Sequence, residues 1–322
     1  MKRFKILVAA TSGVRATLVI ASVLLLAGQG VVFAKATPFS QIIVFGDSLS
    51  DNGSGLYRLT GGAVPAPPYW EGRFSNGPVW PEYLAVDLGM IGLLDDYAVA
   101  GATSGTQVNG APPDWPHGVK SQIEEYLLSH RGDPDALYII WTGHNDIFIP
   151  LFQDPMGDFD AARIAFVENM KHNIKTLWTA GARHILVVNI ADIGKTPPIS
   201  FWPDYSAFCS AVAASFNEGL AGVLKELAAE GVPTIAADAF AIVDTVVAHP
   251  AQFGFSNVTI DPFPENPSGY AFFGGHPSTQ FHQVLAQFVV RDLIDYFSPS
   301  HGKGMPPAKV NALNGLVRAG KQ

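Results

Sequence analysis

The chain has 322 residues, 48% of them hydrophobic and 15% charged, a composition that supports a large buried core and excludes a disordered or fibrous protein. Its net charge of −8 argues against a nucleic-acid or anionic-lipid partner, and its single cysteine excludes an internal disulfide.

Residues 1–36 read as a secretory leader: Lys2, Arg3, Lys5 and Arg15 precede an apolar run from Leu18 to Ala27, and Ala34 and Ala36 form an A-x-A cleavage pattern. Gly28, Gln29 and Gly30 stop the run short of the roughly 20 apolar residues that a membrane span needs. Removing this segment takes away five cations and no anion, which moves the net charge from −8 to −13. A protein secreted or delivered to a periplasm is expected, with no membrane span after cleavage.

The first predicted strand is "QIIVF", Gln41 to Phe45, and "GDSLSDNGSG" follows it. Ser48 then lies on a sharp turn at a strand end, where a serine is either an exposed nucleophile or the N-cap of a helix. The next stretch, "PPYWEGRFSNGPVWPEYLA", gathers Tyr69, Trp70, Arg73, Phe74 and Trp80. These side chains either line a substrate pocket or pack a loop onto the sheet. In "DYAVAGATSG" a short strand is expected before Gly101, a glycine able to turn the chain or to present its N–H to a ligand.

A helix is predicted over 119–129, then the strand "ALYIIW" from Ala136 to Trp141, ending in "TGHND". Asn145 there offers a side-chain N–H donor, although Asn-Asp after a strand is also a common turn. A helix over 161–180, the strand "HILVVN" at 184–189, a helix over 207–230 and the strand "PTIAA" at 233–237 follow. Cys209 falls in the third of these helices and reads as a small buried apolar side chain. The strands are apolar throughout rather than alternating, as in a parallel sheet covered on both faces by helices, within one domain.

The last motif is "YAFFGGHPSTQFH", with His276 after two glycines and before the final predicted helix, 278–296. Imidazole is the side chain suited to take a serine proton near neutral pH. Residues 299–322 carry Pro, Gly and basic residues with little periodicity, and read as a loosely attached tail.

Taken together and in order, "IIVFGDSLSDNG", "YAVAGAT", "TGHND" and "GGHPS" resemble the four sequence blocks of the SGNH hydrolases, the GDSL esterases and lipases. The resemblance spans about Gln41 to Phe297. It implies a flavodoxin-like three-layer α/β/α sandwich with a central parallel sheet over 37–298. It also implies hydrolysis of carboxylic esters, acyl or acetyl, of a small molecule, lipid or carbohydrate. Ser48 would be the nucleophile and His276 its base. The N–H groups of Ser48, Gly101 and Asn145 would form the oxyanion hole. No cofactor and no metal is implied, and a monomer is expected.

The chain departs from this family at one position. The aspartate usually found three residues before the histidine is replaced by Phe273, and none of Phe272, Gly274 or Gly275 supplies a carboxylate. Three readings stay open: a backbone carbonyl near Phe273 holds the imidazole, a carboxylate reaches in from elsewhere with Asp261 or Glu265 nearest in sequence, or the chain is a weakened relative that binds rather than hydrolyses. A metal phosphoesterase would need several His and Asp ligands converging on two ions, and the spacing supplies no evident set.

Overall fold

The computed structural model describes residues 37–298. The leader and the C-terminal tail read from the sequence lie outside the described residues.

Five parallel strands form the sheet: β1 (Ile42–Gly46), β2 (Leu94–Asp96), β3 (Leu137–Trp141), β4 (His184–Val188) and β5 (Ile235–Ala237), in the order β2-β1-β3-β4-β5. This is the flavodoxin-like order, in which the chain leaves β1 first to one side and later to the other. Every residue of β1 and β3 is buried. Ile42 and Val44 face one core, and Ile43 and Phe45 the other. Two buried faces explain why these strands carry no polar alternation.

On the first face lie α2 (Trp80–Asp87), α7 (Ala239–Ala248) and α8 (Thr279–Phe297). The second face carries α3 (Val119–Ser129), α4 (His144–Gln153), α5 (Asp160–Ala180) and α6 (Pro203–Ala229). By length and composition α6 could cross a membrane, but it lays Cys209, Val212, Phe216, Leu220 and Val223 against the sheet. Outside these layers stand a four-residue helix α1 (Leu56–Leu59) and a two-stranded antiparallel hairpin, β6 (Phe272–Phe273) with β7 (His276–Pro277).

Two local expectations need correction. The short strand expected before Gly101 lies earlier, at Leu94–Asp96, while Tyr97 and Val99 extend its line by donating N–H bonds to the Val44 and Gly46 carbonyls. No helix starts at Ser48 either: residues 48–50 are turn, and the next helix opens only at Leu56. The N-cap reading of Ser48 therefore has no helix to cap.

Candidate active site

The crevice at the carboxyl ends of β1 and β3 is where a sheet of this order binds ligands, because the connections diverge there. Its walls come from the loops after β1, β2, β3 and β4, from α4 and α7, and from α8 with the hairpin.

At the end of β1 the chain must pass close to β3. A Cβ on Gly46 would stand 2.7 Å from the Trp141 carbonyl, so only glycine fits. The buried Gln122 amide then grips this residue twice, accepting from Gly46 N–H at 3.0 Å and donating to its carbonyl at 2.9 Å. Buried Asp47 tightens the following turn: its carboxylate accepts the Leu49 N–H, and its carbonyl accepts those of Ser50 and Asp51. Ser48 stands between these bonded residues, and its own N–H has no protein partner among the described residues. That N–H remains available to a ligand.

Asp51 ties this turn to the second motif. Its carboxylate accepts N–H bonds from Gly53, Gly55 and Leu56, and also from Ala100, the residue before Gly101. Burial pushes the Asp51 carboxyl above its ordinary pKa, against the pull of those four donors. Gly101 takes φ +85°, a left-handed conformation open to glycine, and lines the cavity beside Ser48.

After β3, Gly143 at φ +119° turns the chain so that His144 and Asn145 begin α4 inside the crevice. Asn145 is buried; its amide donates to the Ala102 carbonyl at 3.1 Å, which leaves a second N–H of the same group unspent by that bond. His144, which carries no signal in the sequence reading, is a bracing group. Its Nε2 accepts the Ala191 N–H at 3.2 Å, so Nδ1 bears the proton and faces Asp47 at 3.4 Å.

His276 arrives from the opposite side, on β7. Its Nε2 lies 2.8 Å from the Ser48 hydroxyl oxygen, and its Nδ1 lies 3.0 Å from the Gly274 carbonyl oxygen. A carbonyl only accepts, so Nδ1 carries the hydrogen and Nε2 is left to receive one from Ser48. The Phe74 ring covers the imidazole at 5.1 Å. Burial pushes the His276 pKa below its ordinary value, opposed by the Gly274 carbonyl, Asp47 and Asp261.

Ser48, Gly101, Asn145 and His276 all line one cavity of about 460 Å³ whose remaining wall is largely apolar, with Leu56, Phe148, Ile193, Val243, Phe272, Phe281 and Leu285. Of the five side chains proposed from the sequence for a pocket, Phe74 alone is in this lining. Tyr69 instead donates its hydroxyl to the Gly274 carbonyl at 2.9 Å. Arg73 forks onto Glu82 at 2.7 Å and 3.3 Å and lies over the Trp70 ring, while Trp80 is fully buried and donates to Ser50. The same loop holds α8 in place, Ser75 donating to the Pro277 carbonyl and Asn76 accepting the Thr279 N–H. The aromatic stretch therefore braces the histidine more than it shapes a pocket.

Phe273 is buried, its ring edge-on to Tyr69 at 5.7 Å and to Phe263 at 5.3 Å. Neither nearby carboxylate touches the imidazole through a hydrogen bond. Glu265 is exposed, and Asp261 bonds to the N–H groups of Gly274 and Gly275. Among the described residues no three His, Cys, Asp or Glu side chains gather as a metal site would require.

Residues 42–289, from β1 into the last helix, match the family model described as GDSL-like Lipase/Acylhydrolase. The chain belongs to this family. Among curated relatives of the GDSL chain is a phosphatidylcholine-sterol acyltransferase of Aeromonas hydrophila, 31% identical over 206 residues, covering 60% of this chain and 56% of the relative. A GDSL esterase/lipase of Arabidopsis thaliana is 25% identical over 341 residues, covering 88% of this chain and 98% of the relative. The chain spans only 56%, 40% and 24% of the length of three relatives with which it shares 30–31% identity. A solved structure of a mutant acetyl-xylooligosaccharide esterase from a Geobacillus aligns with a TM-score of 0.49 at 16% identity, over 81% of this GDSL chain and 96% of that one.

Proposed function

We propose that the protein is an exported serine hydrolase of carboxylic esters that works through an acyl-enzyme. The observation that carries this reading is the 2.8 Å contact between Ser48 Oγ and His276 Nε2 inside a cavity. A serine hydroxyl is a weak nucleophile until a base takes its proton, and the neighbouring Gly274 carbonyl keeps the basic nitrogen of His276 facing it.

In the proposed reaction Ser48 Oγ attacks the ester carbonyl carbon while its proton passes to His276 Nε2. The carbonyl π pair moves onto the oxygen, which takes hydrogen bonds from the Ser48 and Gly101 N–H groups and the Asn145 amide. Collapse expels the alcohol, protonated from Nε2, and leaves acyl-Ser48. Water then repeats the sequence, giving up its proton to Nε2 and releasing the acid. Such donors aimed at developing charge are worth about 3 to 4 kcal/mol each in acyl transfer.

The apolar wall supports an acyl group longer than acetyl, with the alcohol side left open between small-molecule, lipid and carbohydrate esters. The pattern of residues 1–36 supports export, and a mature chain beginning at or near Lys35 or Thr37 is expected by intact mass.

The deciding experiment treats the folded, purified protein with a fluorophosphonate ester and locates the adduct by peptide mass. Labelling at Ser48 in the parent and none in Ser48→Ala is expected. A folded parent that stays unlabelled near pH 8 refutes the hydrolase reading and leaves a binding protein on a hydrolase scaffold.

A further inference from the structure

We propose that Asp261 is the acidic positioning residue of this site, acting on His276 through the one peptide group that joins Gly274 to Gly275. The proposal rests on the Ser48–His276 reading above and adds to it the residue that stands in for the missing aspartate.

The geometry is a chain of three links. Asp261 Oδ2 accepts the Gly275 N–H at 2.5 Å, and the carbonyl of the same peptide group accepts His276 Nδ1–H at 3.0 Å. Asp261 Oδ1 accepts the Gly274 N–H at 2.9 Å and that of Phe263 at 3.1 Å, which fixes the carboxylate's orientation. Consecutive N–H groups can face one anion because Gly274 and Gly275 both take left-handed backbone, φ +62° and +75°. A Cβ at Gly274 would also collide with the Tyr69 hydroxyl, the second donor to the Gly274 carbonyl.

An ionised carboxylate at the N–H end of a peptide group draws that hydrogen toward itself and shifts electron density onto the carbonyl oxygen. The oxygen becomes a stronger acceptor for Nδ1–H, a cooperative gain of about 10–30% per bond. No proton leaves the peptide nitrogen, and none is passed to Asp261. The arrangement combines two alternatives that the sequence leaves separate: a carbonyl orients the imidazole, and a carboxylate supplies negative charge one peptide away. Phe273, at the position where the family usually carries its acid, keeps Tyr69 and Phe263 packed around the relay.

The pH dependence is shared with other groups around His276. Asp47 and Asp261 favour the imidazolium, His144 opposes it, and Tyr69 and His282 lie close by on the aromatic loop and on α8. Removing the Asp261 charge withdraws one of the two carboxylates that favour imidazolium, so the acid limb of the rate profile moves to lower pH.

The test compares the parent with Asp261→Asn and with Glu265→Gln, an exposed control expected to leave activity unchanged, on p-nitrophenyl butyrate between pH 4 and 9. For Asp261→Asn, kcat should fall about 10-fold to 100-fold with KM little changed, less than the 10⁴-fold that losing a direct carboxylate can cost. The acid limb should move down and the Nδ1–H proton resonance upfield. Unchanged kcat, or a fall in kcat with an unmoved limb and resonance, overturns the proposal; the second result makes Asp261 only a brace for the loop. If Asp261→Asn does not fold, the parent still decides the matter by NMR. The Gly275 amide shift should titrate with the midpoint of His276, and a Gly275 amide that stays flat across that transition overturns the relay. Absence of fluorophosphonate labelling in the parent would sink the hydrolase reading itself, whereas a labelled parent with an indifferent Asp261→Asn sinks the relay alone.

Discussion

In the proposed reaction His276 must be neutral to take the serine proton, and burial holds its pKa below the ordinary imidazole value of 6.5. The acid limb of kcat/KM should accordingly lie below pH 6.5, and a limb above that value would show the imidazole to be more charge-stabilised than its surroundings allow. Asn145 is held by Ala102 with one N–H to spare, so its effect should be confined to the transition state. Asn145→Ala is expected to lower kcat about 10²-fold to 10³-fold with little change in KM. A change in KM alone would make Asn145 a substrate-positioning group. At Phe273 the structure favours the resident ring. An aspartate there would enter a pocket built by the Tyr69 and Phe263 rings, while Nδ1 is already bonded to Gly274. Phe273→Asp should cost about 3 to 5 kcal/mol in urea unfolding, as loss of a buried phenyl ring does, and should lower activity per folded molecule. A rise in activity would mean that the carbonyl leaves the imidazole under-supported.

Elements differ in how much of themselves they write into sequence. Strands β1, β3 and β4 are legible because both faces are buried, so Ile42 to Phe45 or Leu137 to Trp141 have no polar side to show. Helix α3 is legible because Val119, Ile123 and Tyr126 recur at three- and four-residue spacing and fall on one buried side. Helix α4 is hidden by Pro150 in its interior, and α7 by an apolar run whose period is blurred. The two ends of the site, Ser48 and His276, stand in short glycine-bearing motifs and could be found. Asp261 could be named only as one of two nearby carboxylates and not given its role, since it binds backbone N–H groups 13 and 14 residues away, and backbone donors have no letter in the sequence. Asp51 shows the same economy, since its four N–H partners join the β1 turn, α1 and the Gly101 loop. Asp51→Ala leaves those donors buried or half-buried without an acceptor. A loss of about 3 kcal/mol or more in unfolding free energy is expected, together with slower labelling of Ser48 as Gly101 loosens. Full stability in this variant would mean that neighbouring carbonyls replace the carboxylate.

At the scale of the whole molecule, stability against pH depends on buried groups that titrate differently in the folded and unfolded chain. His282 on α8 is fully buried, neither ring nitrogen has a hydrogen-bond partner among the described residues, and burial pushes its pKa down to about 3. The unfolded chain, with an imidazole near 6.5, binds a proton that the folded chain refuses. Folding stability attributable to this group is therefore complete above pH 6.5 and is lost as pH falls from 6.5 toward about 3. Asp146 works in the opposite sense: burial raises its carboxyl to about 6 from 3.8, so the folded chain holds the extra proton and gains stability as pH falls through that window. A single acid-denaturation curve mixes the two slopes, but the difference between a variant and the parent isolates one. His282→Leu removes the titrating ring and its unpartnered nitrogens while keeping a side chain of similar bulk. In urea unfolding it should match or exceed the parent at pH 7.5, and its advantage should widen steadily between pH 6.5 and 4.5. Parallel curves across that range would mean that the folded protein accommodates a charged His282. A large loss at pH 7.5 would mean that the ring is held by bonds and is not merely packed.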